Sequence, residues 1–196
     1  MNPSSHIGPV KHYDYMGAMQ FANLFMLGLR AHNTLLDFGC GSLRLGRFAM
    51  QFLNVGCYYG IEPKGELITE GIALNHLAEL VKAKLPRFHF GAECDMNIFN
   101  HPFDYIIAQS VFTHMPVAQI QKSLQTARQA MHNGSLFVAN YKHAAFDYAD
   151  PDWTQKNITY TAATMDAMVA KARLVATPLH LIQTTTQTWL LLRRAP

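Results

Sequence analysis

The stretch Leu35-Leu36-Asp37-Phe38-Gly39-Cys40-Gly41-Ser42 constrains the fold more than any other part of the chain. An apolar run ends in an acid and a glycine-rich turn, and Leu45, Phe48, Ala49, Phe52 and Leu53 then recur at helical spacing. Strand, tight turn and helix in that order open a parallel sheet covered by helices. The glycines are needed because the backbone must turn sharply and admit a ligand with no Cβ in the way. In doubly wound sheets such turns lie at the carboxyl edge, where ligands bind.

The rest of the chain repeats the alternation. Residues 34–38 read as the first strand and 43–53 as the first helix of the sheet. A second strand over 57–61 is stopped by Pro63, and 66–83 reads as one amphipathic helix. Residues 87–90 and 103–108 read as the third and fourth strands. A helix over 117–131 is expected to stop at Asn133-Gly134, ahead of a fifth strand over 135–141. After a polar stretch, 142–161, come a helix near 164–172 and two β-like runs, 179–184 and 188–193. The link between those runs is too short for a crossover, so they should pair antiparallel. Residues 1–33 form an N-terminal helical segment, with one or two helices over 11–30, and are a candidate lid. Residues 34–196 form the main domain, and a chain of 196 residues has room for one such core.

Two ligand classes compete for the glycine turn. A dinucleotide fold wants Gly-x-Gly-x-x-Gly, but the third position is Arg44, and Asp37 would repel a diphosphate. A carboxylate beside a glycine turn suits a cationic ligand, and S-adenosylmethionine carries an ammonium and a sulfonium with no phosphate. Glu62 ends the second strand, 21 residues past Gly41, where an acid can accept from two ribose hydroxyls. Both S-adenosylmethionine and NAD carry that ribose, so Glu62 supports adenosine without choosing between them. Asp95 follows the third strand and can accept from an adenine amino group, with the Met96 backbone N–H on a ring nitrogen; the alternative is a solvated loop acid. Gln109, Ser110 and His114 follow the fourth strand, on the edge where the reacting centre should lie. His114 is the side chain there whose ordinary pKa suits proton transfer near neutral pH, and its alternative is a cap on the helix beginning near Pro116.

These segments, in this order, resemble class I S-adenosylmethionine-dependent methyltransferases from about Thr34 to the C-terminus. Residues 37–46 with Tyr59-Gly60-Ile61-Glu62, and the phrase Ala108-Gln109-Ser110-Val111-Phe112-Thr113-His114, are similar to a bacterial subgroup of small methyltransferases of mostly unassigned substrate. The resemblance implies an α/β fold: a doubly wound, seven-stranded, mostly parallel sheet of order 3-2-1-4-5-7-6, with helices on both faces and a C-terminal antiparallel hairpin. The cofactor-binding candidates are Asp37, Gly39, Cys40, Gly41, Glu62, Asp95, Met96 and Gln109, with His114 as the catalytic candidate and no metal. Two departures stand out. Leu43 replaces a third glycine, and Arg44 is unusual, either binding the cofactor carboxylate or making a surface contact.

Absences narrow the methyl acceptor. The fourth strand ends in Ala-Gln-Ser-Val, which does not resemble the turn of nucleobase or glutamine N-methylation, and no cysteine or metal-binding acids follow it. A net charge of +3 with scattered basic residues does not support nucleic acid. A small molecule remains, through a hydroxyl or amine of a sugar or secondary metabolite. Tyr13, Tyr15, Met16, Gln20, Phe21, Tyr148 and Trp153 are candidate lid and acceptor walls, or ordinary packing. The low charged fraction of 15% fits a subunit contact, as in a homodimer, a covered active-site mouth, or simply a large core. Three cysteines at Cys40, Cys57 and Cys94, a polar N-terminus and no long apolar run point to a reduced, cytoplasmic protein without a membrane span. An S-adenosylmethionine-sensing module or inactive partner subunit, and an NAD-dependent oxidoreductase, stay open as alternatives.

Overall fold

A computed structural model describes residues 12–148, 158–181 and 186–196. Its seven strands form one sheet in the order β3-β2-β1-β4-β5-β7-β6. The described residues gather into two compact units, residues 12–91, and residues 92–148, 158–181 and 186–196.

The first unit contains α1 (Tyr13–Met26), β1 (Leu35–Phe38), α2 (Gly46–Phe52), β2 (Tyr58–Ile61), α3 (Gly65–Leu74), α4 (Ala78–Lys84) and β3 (Arg87–His89). β1 and β2 pair in parallel, with Asp37 opposite Gly60, and β2 pairs in parallel with β3. Every residue of β1 and β2 is buried, as expected of parallel strands covered on both sides. The single helix expected over 66–83 is broken in two. Asn75 turns its side-chain amide back to the Gly71 carbonyl (2.8 Å), and His76 takes the left-handed φ of 53°. A short amide side chain that serves the backbone in this way competes with helix continuation.

The second unit contains β4 (Phe103–Ala108), a 3-10 turn (Phe112–His114), α5 (Val117–Gln129), β5 (Met131–Tyr141), α6 (Ala162–Lys171), β6 (Leu174–Leu179) and β7 (Thr188–Arg194). β4 pairs in parallel with β5, and β7 runs antiparallel to both β5 and β6. Its core is built from Phe103, Ile106, Ile107, Ile120, Leu124, Phe137, Leu191 and Leu192, all nearly inaccessible to solvent.

Two expected boundaries move here. Asn133-Gly134 does not end the helix but lies inside β5, where the register against β4 jumps between Phe103 and Tyr105. Ser135 makes that irregularity workable: its hydroxyl accepts from the His132 N–H (2.8 Å) and donates to the Phe103 carbonyl (2.6 Å). The first strand of the hairpin is β6 at 174–179; of the expected run 179–184, residues 180 and 181 lie past its end and 182–184 lie outside the described residues. Its Pro178 argues against a strand in the sequence, but β6 is the outermost strand, where a residue without an N–H costs no ladder bond. The polar stretch after β5 forms bridges His143–Tyr160 and Tyr148–Thr159. The candidate wall residue Trp153 lies outside the described residues.

Candidate functional site

β1 delivers its acid into a buried position at the glycine turn. Asp37 is 6% exposed and accepts a hydrogen bond from the Tyr58 hydroxyl at 2.8 Å. Burial pushes the Asp37 carboxyl up to about 7, with the Tyr58 hydrogen bond and the Arg44 charge opposing the rise and Glu62 adding to it. The Tyr58 phenol is itself pushed upward by burial. Gly46 makes the pair sterically possible, because a Cβ there would stand 2.6 Å from the Tyr58 hydroxyl.

The turn after β1 takes left-handed backbone at three places, Gly39 (φ 77°), Gly41 (φ 52°) and Leu43 (φ 62°). The Gly39 and Cys40 N–H groups both donate to the Ile61 carbonyl, at 2.8 and 3.1 Å, which ties the turn to the end of β2. Gly41 faces open space, since a Cβ built there meets nothing within 4 Å. Leu43 adopts a left-handed conformation where the resemblance calls for glycine. It bears a cost of about 1–2 kcal/mol, while its side chain is fully buried. The loop thus keeps the glycine path with a leucine that repays the strain by packing. Cys40 is buried, and its Sγ lies 2.8 Å from the point a Gly60 Cβ would occupy. Its thiol therefore faces β2, and its pKa is raised, chiefly by burial.

Glu62 closes the turn from the other side. Its Oε2 accepts from the Gly41 N–H (3.1 Å) and its Oε1 from the Lys64 N–H (3.0 Å). Burial raises its pKa, against those two backbone hydrogen bonds. Asp37, Gly39, Cys40, Gly41 and Glu62 therefore lie together at the ends of β1 and β2.

Sequence reasoning did not anticipate how α1 and α3 seat this loop. Gly17 of α1 lies against the Arg44 carbonyl, where a Cβ would come within 2.3 Å, and Gly71 of α3 lies against the Ser42 carbonyl, at 2.2 Å. The Tyr13 hydroxyl donates to the Ser42 carbonyl (2.7 Å) and accepts from the Ser42 hydroxyl and the Asn75 amide, both at 3.2 Å. Arg44 turns toward α1, with Nη1 3.7 Å from the Met16 Sδ, and burial lowers its pKa. It is not a surface contact. The missed signals were small residues inside helical patterns, at Gly17 and Gly71, and a tyrosine in the buried strand 58–61.

The second unit carries the remaining candidates. Asp95 Oδ1 accepts from the Asn97 N–H (2.8 Å), a local turn that fixes the loop. The Met96 N–H already donates to the Thr126 hydroxyl (3.0 Å), so in this structure it is engaged inside the protein rather than presented to a ring nitrogen. Gln109 follows β4 with its Oε1 buried. His114 ends the 3-10 turn with an exposed side chain. Pro116 stands at the N-terminal boundary of α5. No cluster of three or more potential metal ligands occurs among the described residues, and no described helix is long and apolar enough to cross a membrane.

Known structures share this architecture at low sequence identity. An S-adenosylmethionine-dependent methyltransferase from Clostridium acetobutylicum ATCC 824 superposes with a TM-score of 0.68 at 14% identity, over 93% of each chain. Magnesium protoporphyrin IX methyltransferase from Synechocystis PCC 6803, with bound S-adenosylhomocysteine, gives 0.70 at 13% identity, over 97% of this chain and 90% of that one. The CcbJ methyltransferase from Streptomyces caelestis gives 0.69 at 14%, over 92% and 90%. No protein-family model matches the chain, and no curated protein matches it significantly. The chain has the class I methyltransferase fold.

Proposed function

We propose that this protein is a cytoplasmic S-adenosylmethionine-dependent methyltransferase that methylates a hydroxyl or amine of a small molecule, such as a sugar or a secondary metabolite. One observation carries the reading: a glycine turn with open space at Gly41 is flanked by two carboxylates, Asp37 and Glu62. Such a turn attracts a cationic nucleoside and disfavours a diphosphate. The fold, shared with solved methyltransferases of several kinds, supports the same conclusion.

The residues present fit the cofactor. Gly41 leaves room for close approach, Glu62 stands ready for ribose hydroxyls, and the buried Asp37 gains from a nearby cation that restores its charge. Asp95 is assigned the adenine amino group. S-adenosylmethionine supplies, when bound, a methyl group made electrophilic by its sulfonium. The chain's own work is then to align the acceptor and exclude water. Where the acceptor is a hydroxyl, His114 takes its proton, whereas an amine arriving neutral needs no base.

Calorimetry with S-adenosylhomocysteine and with NAD tests the cofactor. Binding of the first and not the second is expected. Removing a carboxylate by Asp37→Ala or Glu62→Ala should weaken S-adenosylhomocysteine binding by about 1–3 kcal/mol, the size of a lost charge-assisted hydrogen bond. Wild-type affinity in both variants would remove the pocket from this turn. Release of S-adenosylhomocysteine with a panel of hydroxyl and amine acceptors then separates an enzyme from a sensing module.

A further inference from the structure

We infer that the carboxyl ends of β4 and β5, with the start of β7, form a pocket for an uncharged hydroxyl of the methyl acceptor, and that the Asn140 carboxamide is its hydrogen-bond donor. The inference rests on the methyltransferase reading above and specifies the acceptor's chemistry.

Asn140 ends an apolar run of β5 and is fully buried. Its orientation is fixed by a neighbour. Ser110, just past β4, takes a left-handed φ of 59° and donates its N–H to Asn140 Oδ1 at 2.6 Å. A flipped amide would set two donors face to face, so Nδ2 is the group that points elsewhere. That Nδ2 is buried and has no partner among the described residues. The neighbouring groups are polar and neutral: the Ser110 hydroxyl donates to Gln187 Oε1 at 3.2 Å, and Gln187 is 8% exposed. Gln109, next to Ser110, also holds its Oε1 buried and without a partner.

An unpaired buried donor and a left-handed serine are both costly to the fold. Such costs accumulate at functional sites, where a ligand completes the bonding. The Asn140 donor calls for an oxygen acceptor. A neutral hydroxyl supplies one. A carboxylate or ammonium would enter this neutral set without a countercharge and lose its hydration.

The test is side-chain amide NMR on the 15N-labelled chain saturated with S-adenosylhomocysteine. Phenol and methyl α-glucoside serve as neutral hydroxyl probes, and acetate and ethylamine as charged ones. A neutral probe should move the Asn140 NH₂ resonance, and the charged probes should not. Asn140→Asp keeps an oxygen facing the Ser110 N–H but deletes the donor, and should weaken the responding probe at least tenfold. Gln187→Leu, at a position less deeply embedded, should weaken it in the same direction and serves if the first variant does not fold. Response to the charged probes alone, no response to any probe, or unchanged affinity in the folded variants overturns the inference while leaving the methyltransferase reading intact. Failure of S-adenosylhomocysteine to bind overturns both.

Discussion

Asp37 is the residue whose chemistry the fold changes most. A free aspartate ionises near pH 4, but burial at the end of β1 pushes this one up to about 7. Because the folded pKa lies above the unfolded one, its contribution to stability is fully present below about pH 4. That contribution is lost as pH rises through about 7. The ligand-free protein should therefore become less stable between about pH 4 and pH 7, and Asp37→Asn should flatten that slope; urea denaturation across the pH range measures it. Cation binding acts in the opposite sense, since it favours the ionised carboxylate and expels the proton. The affinity for S-adenosylmethionine should rise from pH 6 to pH 8 in the wild type and far less in Asp37→Asn. Calorimetry in two buffers of different ionisation enthalpy would register the released proton. No such release, with tight binding, would mean that Asp37 does not face the ligand's charge.

At the level of elements, the glycine loop is held by the helices that touch it. Gly17 and Gly71 sit within helices, where glycine ordinarily costs about 1 kcal/mol relative to alanine. On propensity alone, Gly17→Ala and Gly71→Ala would stabilise the protein. The structure reverses the sign, because each new Cβ would stand within 2.3 Å of a loop carbonyl oxygen. Both variants should lower the unfolding midpoint and weaken S-adenosylhomocysteine binding, as the loop shifts to relieve the clash. Thermal unfolding with and without the ligand separates the two effects. Tyr13→Phe is the milder counterpart: it removes one hydroxyl that bonds to Ser42 and Asn75, and should cost about 0.5–1.5 kcal/mol. A fully neutral Tyr13→Phe would show that α1 packs on the loop without steering it.

The whole sheet decides where stability is concentrated. β5 and β7 lie inside the strand order, with every residue of β7 from Trp189 to Leu192 buried, whereas β3 and β6 are the two edges. β3 is three residues long and partly exposed, and β6 carries Pro178. Hydrogen exchange should therefore be slowest in β4, β5 and β7 and fastest in β3 and β6. Equal protection in β6 and β7 would contradict this. The order of elements and the antiparallel hairpin were legible in the sequence because buried parallel strands read as short apolar runs separated by helical periodicity. The start of β5 was not legible, because Asn133-Gly134 is a strong local stop that the Ser135 hydroxyl converts into an irregularity within a strand. The position of β6 was missed because only its place at the sheet edge makes Pro178 acceptable.

The sequence by itself determined the strand–turn–helix opening and the separation of Asp37, Gly41 and Glu62, because glycine freedom and apolar periodicity are local properties of the chain. Only the tertiary structure decided that Tyr58 would shelter Asp37, that two helical glycines would press on the loop, that Met96 would bond to Thr126, and that Asn140 would keep a donor in reserve. Each of those facts depends on a partner between 21 and 30 positions away or on burial by several elements at once, and no local pattern encodes either.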